Sequence, residues 1–70
     1  MAKWYVRSGQ VQGVVVADSP IAACQEIVRA DAHEAERLSP ITTVSETGFA
    51  ITEDTIVMLT SQLLGEPYGI

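Results

Sequence analysis

The sequence predicts an α+β fold: a two-layer sandwich in which a small antiparallel sheet of ββαββ order packs on one main helix, with a possible short C-terminal helix. Three observations lead there. Runs of aromatic and β-branched residues stand at both ends of the chain, the first carrying the two-residue alternation of a half-buried strand. The central segment switches to helical spacing, with Ile21, Cys24, Ile27 and Val28 recurring along one stripe. Between the two lies Asp18-Ser19-Pro20, a strong helix-start signal.

The elements follow in chain order. Lys3 to Ser8 reads as a strand with Trp4 and Val6 on one face and Tyr5 and Arg7 on the other. Gly9-Gln10 supplies a two-residue turn, glycine taking the positive φ that such turns need. A second strand runs from Val11 to Ala17. Gly13 interrupts it, which marks either a bulge or a close crossing by Trp4 or another bulky group.

Ser19 is a suitable N-cap, because its hydroxyl can accept an orphan amide of the first turn. Pro20 fits the first helical position, where its missing N–H loses nothing. The predicted helix runs from about Pro20 to about Arg37. Its second half, Asp31 to Arg37, drops the apolar stripe and is expected to face solvent or a partner. Leu38 closes the segment, and Ser39-Pro40 breaks it.

Ile41 to Glu46 is a β-branched run and reads as a third strand, ended or bent at Thr47-Gly48. Phe49-Ala50-Ile51 continues the apolar character. Two readings stand for the next segment. Thr55 to Leu59 is a central or covered strand followed by one helical turn, capped by Thr60 and ended at Gly65; or Thr52 to Leu64 is a single helix. Three consecutive β-branched residues, Thr55 to Val57, favour the strand. Residues 1–70 are expected to form one small domain, with about 66–70 as a frayed tail.

Composition bounds function. The chain has 70 residues, four basic and nine acidic, for a net charge of −5. Lys3, Arg7, Arg29 and Arg37 are scattered, so the basic footprint that grips a phosphate backbone is missing. A domain this small buries only about 60% of its unfolded surface, so it needs a dense core or a partner. Cys24 stands alone, which rules out an internal disulfide, and no zinc-type spacing joins it to His33. The opening Met1 to Arg7 lacks the apolar stretch of a secretory signal, and no run approaches the ~20 residues that span a bilayer. A free cysteine fits a reducing compartment, so a cytoplasmic protein is expected.

No constellation for catalysis emerges. Cys24 on the apolar stripe reads as a small core hydrophobe, since no base stands one turn away. His33, among Asp31, Glu34, Glu36 and Arg37, reads as part of a solvated helix face. Glu46, Glu53 and Asp54 do not reproduce the alternating oxygens of a calcium loop. Gly9 and Gly13 lack the lysine and third glycine of a phosphate cradle. The expectation is therefore no enzyme, no metal and no cofactor.

What remains is a surface. Tyr5 and Arg7 on the outer face of the first strand, beside Val14 and Val16 of the second, make an apolar, aromatic-edged patch of the kind enriched at interfaces. The alternative is that the C-terminal segment covers this hairpin on both sides. The functional expectation is a small interaction module that uses a sheet face or an edge strand toward a protein partner or a second copy. A different expectation is an acidic regulator of antitoxin type that neutralises a basic partner. Neither involves a nucleic acid or a membrane.

Trp4-Tyr5-Val6-Arg7, then Val15-Val16-Ala17-Asp18-Ser19-Pro20 with Ala22-Ala23, and Val44-Ser45-Glu46-Thr47-Gly48-Phe49 are similar to stretches of short uncharacterised proteins from planctomycete-type bacteria. That resemblance spans most of the chain and implies a strand–strand–helix unit without implying an activity. The hairpin and helix start also resemble HicB-like antitoxins, which are often acidic and bind a basic toxin. This chain lacks their acidic, proline-containing strand with a Gly-Cys turn, and lacks a separate DNA-binding segment.

Overall fold

A computed structural model of the chain describes residues 2–64. The alternating first third forms a hairpin: β1 spans Ala2–Ser8 and β2 spans Val11–Ala17. Their register pairs Trp4 with Val15, Tyr5 with Val14 and Val6 with Gly13, and closes at Ser8 with Val11. Gly9 holds φ at +63° in the turn. The pairing is regular through Gly13, so no bulge is present. A Cβ at Gly13 would stand 2.8 Å from Ile27 Cδ1, so the bulky group that crosses there is Ile27 and not Trp4.

Helix α1 spans Pro20–Ala30. Ser19 caps it, its Oγ accepting the Ala22 amide at 3.1 Å. The buried stripe is Ala23, Cys24 and Val28, with Ile27 packed beside them. Ile21, expected on that stripe, lies at its flank and is 54% exposed.

The helix is shorter than predicted. It stops at Asp31, whose amide bonds the Val28 carbonyl at 3.2 Å, and a 3-10 segment follows over Ala32–Arg37 with a kink at Glu34. The reason is visible in the stripe: after Val28 the next inward position is the charged Asp31, so extending the helix buries nothing more. Turning back instead packs Leu38 against the core and lets the Arg37 carbonyl accept the Gln10 amide at 2.9 Å. The backbone at the end of this segment thus closes down on the β1–β2 turn, while His33, Glu36 and Arg37 stay exposed as expected.

The last third resolves as strand plus helical turn, not as one helix. Strand β3 spans Ile41–Ser45, β4 spans Ile56–Leu59, and α2 spans Thr60–Leu64. Gly65 and the tail 66–70 lie outside the described residues. All pairings are antiparallel and the strand order is β2-β1-β3-β4. β1 is central, and the β2–α1–β3 connection straddles it. β4 is therefore an edge strand, not the central or covered one its apolar character suggested.

Pairing partners share a face, so register sorts the side chains. Trp4, Val6, Ser8, Val15, Ala17, Thr42, Val44 and Met58 face the helices. Val6, Val28 and Val44 are at most 1% exposed and form the centre of the core. The Trp4 indole packs against it and donates from Nε1 to the Ala17 carbonyl at 3.2 Å. Helix α2 joins this layer, with Leu63 buried and its carbonyl accepting Arg29 Nε at 3.2 Å. The result is the expected two-layer α+β sandwich. No helix among the described residues is long and apolar enough to cross a membrane.

Candidate interaction surface

Among the described residues the opposite side of the sheet has no helix over it. Register brings all four predicted surface residues to this side: Tyr5 lies directly across from Val14, Val16 pairs with Lys3, and Arg7 lies between Gln12 and Thr43. Val14 and Val16 are exposed, as is Arg7. Among the described residues the C-terminal segment does not cover them, because α2 packs against α1 on the far side.

The patch is larger than the hairpin. Ile41 pairs with Leu59 and Thr43 with Val57, which places Ile41, Val57 and Leu59 on the same side. Val57 is 60% exposed and Leu59 52%. The signal for these three was present in the sequence. With Val44 inward, alternation sends Ile41 and Thr43 outward; with Met58 inward, Val57 and Leu59 follow.

Part of the face is roofed by the loop between β3 and β4. The Phe49 ring stands edge-on to Tyr5 with centroids 5.3 Å apart, a favourable aromatic geometry. Ser45, beneath this loop, is buried, and its Oγ accepts the Thr47 amide at 3.1 Å. Lys3 Nζ stands 5.6 Å from the Tyr5 centroid, within cation–π range. Beyond Phe49 a cavity of about 300 Å³ opens among Arg7, Ser39, Ile41, Thr43, Phe49 and Ile51.

The strands carry basic charge only. No Asp or Glu lies in any of the four strands, whereas Lys3 and Arg7 both lie on the open face. Among the described residues the carboxylates sit in α1, the 3-10 segment and the loops, with Glu26 and Glu36 exposed on the helical side and Glu46, Glu53 and Asp54 exposed in the β3–β4 loop. Arg37 pairs with Glu34 at 3.3 Å and Asp31 at 3.8 Å.

The reactive residues are placed elsewhere. Cys24 is fully buried in the core, and burial pushes its thiol up to about 11. A nucleophilic cysteine needs the reverse shift. His33 is exposed on the 3-10 segment. Among the described residues no group of three or more metal-capable side chains comes together.

A polar cluster that the sequence did not announce lies under the hairpin end of the helix-facing side. Ser8, Thr42 and Thr60 are buried there, linked by Thr42 Oγ1 to Thr60 Oγ1 at 2.8 Å and Ser8 Oγ to Thr60 Oγ1 at 3.4 Å. Thr60 Oγ1 donates to the Ser39 carbonyl, and Ser8 Oγ accepts the Ser39 amide. With no general base in this network, its hydroxyls serve to fasten the start of β3 to the end of β4. No family model, curated protein or solved structure matches the chain.

Proposed function

We propose that the chain is a small protein-interaction module without catalytic activity, and that it engages another protein through the open face of its sheet. One observation carries this reading. Val14, Val16, Ile41, Val57 and Leu59, each between 48% and 60% exposed, share a side of the sheet that no helix among the described residues covers. They fall in two groups, Val14 and Val16 on β2 and Ile41, Val57 and Leu59 on β3 and β4, with Tyr5, Arg7 and the Phe49 ring between them, and exposed apolar groups of this kind mark contact surfaces.

Charge bears on the kind of partner. The strands of two copies meeting face to face would bring together Lys3 and Arg7 from each, and like charges brought together in an interface are unfavourable. A different protein with acidic groups among apolar ones is the better complement.

The test begins by capturing partners from native lysate with the tagged chain, then measures the purified pair. Val16→Glu combined with Val57→Glu should abolish binding while the fold stays cooperative, since both side chains are exposed. Glu26→Gln, on the helix side, should bind as the parent does. Tyr5→Glu should weaken binding as well. A folded Val16→Glu/Val57→Glu variant that binds normally would sink the reading.

The exposed carboxylates of α1, the 3-10 segment and the loops favour a second reading, an acidic surface that neutralises a basic partner. That complex would weaken steeply with salt, as screened charge attraction does, and would be indifferent to Val16 and Val57.

A further inference from the structure

Five half-exposed aliphatic side chains leave little to drive docking. Burying the rest of each contributes roughly 1 kcal/mol, about 5 kcal/mol together. Association itself opposes binding by about 4–15 kcal/mol. The apolar face therefore needs an anchor, and the cavity beside it holds one.

Arg7 is the cation left over. Among the described residues Arg37 pairs with Asp31 and Glu34, Arg29 donates to the Leu63 carbonyl, and Lys3 stands against the Tyr5 ring. The Arg7 guanidinium has no such partner among them. It borders a cavity of about 300 Å³ whose other walls include the aliphatic Ile41 and Ile51, the Phe49 ring and the hydroxyl-bearing Ser39 and Thr43. That volume is the lower limit of small-molecule pockets and suits one or two side chains.

We propose that this cavity receives an Asp or Glu side chain of the partner protein, flanked by an aliphatic residue, with Arg7 pairing the carboxylate. The assignment rests on the open face being a protein contact. A guanidinium fork matches a carboxylate in two parallel hydrogen bonds. A singly charged group suits the site better than a phosphate dianion, because the walls supply one cation in a chain of net charge −5.

The experiment titrates the full chain, followed by NMR, with two probes: the blocked peptides acetyl-Val-Glu-Val-amide and acetyl-Val-Gln-Val-amide. The Glu peptide should shift the Arg7 side-chain N–H and the Ile41 and Ile51 methyls. It should bind roughly tenfold more tightly than the Gln peptide, the ratio expected of a charge-assisted contact. Arg7→Gln should erase the difference, and Arg7→Lys should keep part of it. Equal affinities, a Glu preference that survives Arg7→Gln, or no shift by either peptide at millimolar concentration would each overturn the assignment. If the assignment falls while Val16→Glu/Val57→Glu still blocks the captured partner, the open-face contact stands and only the Arg7 anchor is lost. If that variant binds normally too, both fall.

Discussion

Gly9 is the position where a single methyl group should do the most damage. Its φ of +63° lies in the left-handed region, where an L-residue costs about 1–2 kcal/mol. A Cβ there would also stand 2.6 Å from the Arg37 carbonyl oxygen and 2.9 Å from the Ser39 amide nitrogen. Both are backbone atoms, so no side chain can swing aside. The chain must back away, and the Gln10 amide then loses its 2.9 Å bond to Arg37, worth about 1 kcal/mol. Gly9→Ala should therefore cost about 3 kcal/mol, of the roughly 3.5–10 kcal/mol that a domain of this length possesses. The melting temperature should fall by roughly 12–24 °C. Gly9→Asn separates the causes. Asparagine tolerates the left-handed region but carries the same Cβ, so it should still lose about 2 kcal/mol. Urea unfolding followed by circular dichroism measures all three chains. A Gly9→Asn variant as stable as the parent would refute the steric argument, and an undisturbed Gly9→Ala would refute both.

Cys24 makes stability fall at alkaline pH. The folded chain holds its thiol proton up to about pH 11, whereas the unfolded chain releases it from about pH 9 upward. The unfolded state then binds fewer protons, and roughly 2 kcal/mol is lost between those values. Urea midpoints from pH 8 to 11 should show this slope in the parent and lose its Cys24 part in Cys24→Ala. Thr60 gives its only hydroxyl proton to the Ser39 carbonyl, so Thr42 must donate to Thr60 at 2.8 Å. Thr60→Val should then cost about 1–3 kcal/mol by orphaning the buried Thr42 donor. Thr42→Val should cost less, and the double variant no more than Thr60→Val alone, an ordering that thermal unfolding can check. Val6→Ala, at the fully buried centre of β1, should lose about 2–3 kcal/mol from two missing carbon atoms and the cavity they leave.

The hairpin was legible because three local rules agree there: alternation, a glycine at the turn and β-branched composition. The helix start was legible because capping is local chemistry, and the Ser19–Pro20 pair states it directly. The helix end was not. Nothing between Asp31 and Arg37 forbids helix, and the decision falls to Leu38, whose burial depends on where the sheet lies. The edge position of β4 was hidden for the same reason, since strand order is a long-range property. Tyr5, Arg7, Val14 and Val16 could be placed together from turn length alone. Ile41, Val57 and Leu59 needed the β1–β3 pairing before they joined the same surface, although their own alternation already marked them as outward. The hydroxyl cluster was the least visible, because Ser8, Thr42 and Thr60 meet across as many as 52 positions of sequence.

The geometry also decides between the two ways a small sheet can hold a partner. Neither edge strand carries a charge or proline within it, β4 reading Ile-Val-Met-Leu and β2 Val-Gln-Gly-Val-Val-Val-Ala, so neither has that protection against strand addition. Strand addition at β4 would put the new backbone three strand spacings from β1, roughly 14 Å from the Arg7 backbone. A glutamate and an arginine side chain lying along the sheet would both have to be fully extended to close that gap, across Thr43 and Val57. At β2 the new strand would be nearer, two spacings from β1. The Arg7 cavity, however, is walled by Ile41, Thr43, Phe49 and Ile51, on the β3 side and away from β2. Only a segment lying over the face reaches Arg7 and the exposed Val57 and Leu59 together. Edge pairing and face docking therefore leave different signatures: the first protects the outward amides of β4 or β2 from hydrogen exchange, while the second leaves them exchanging and shields the side chains above the sheet. An Arg7-dependent complex belongs to the second kind.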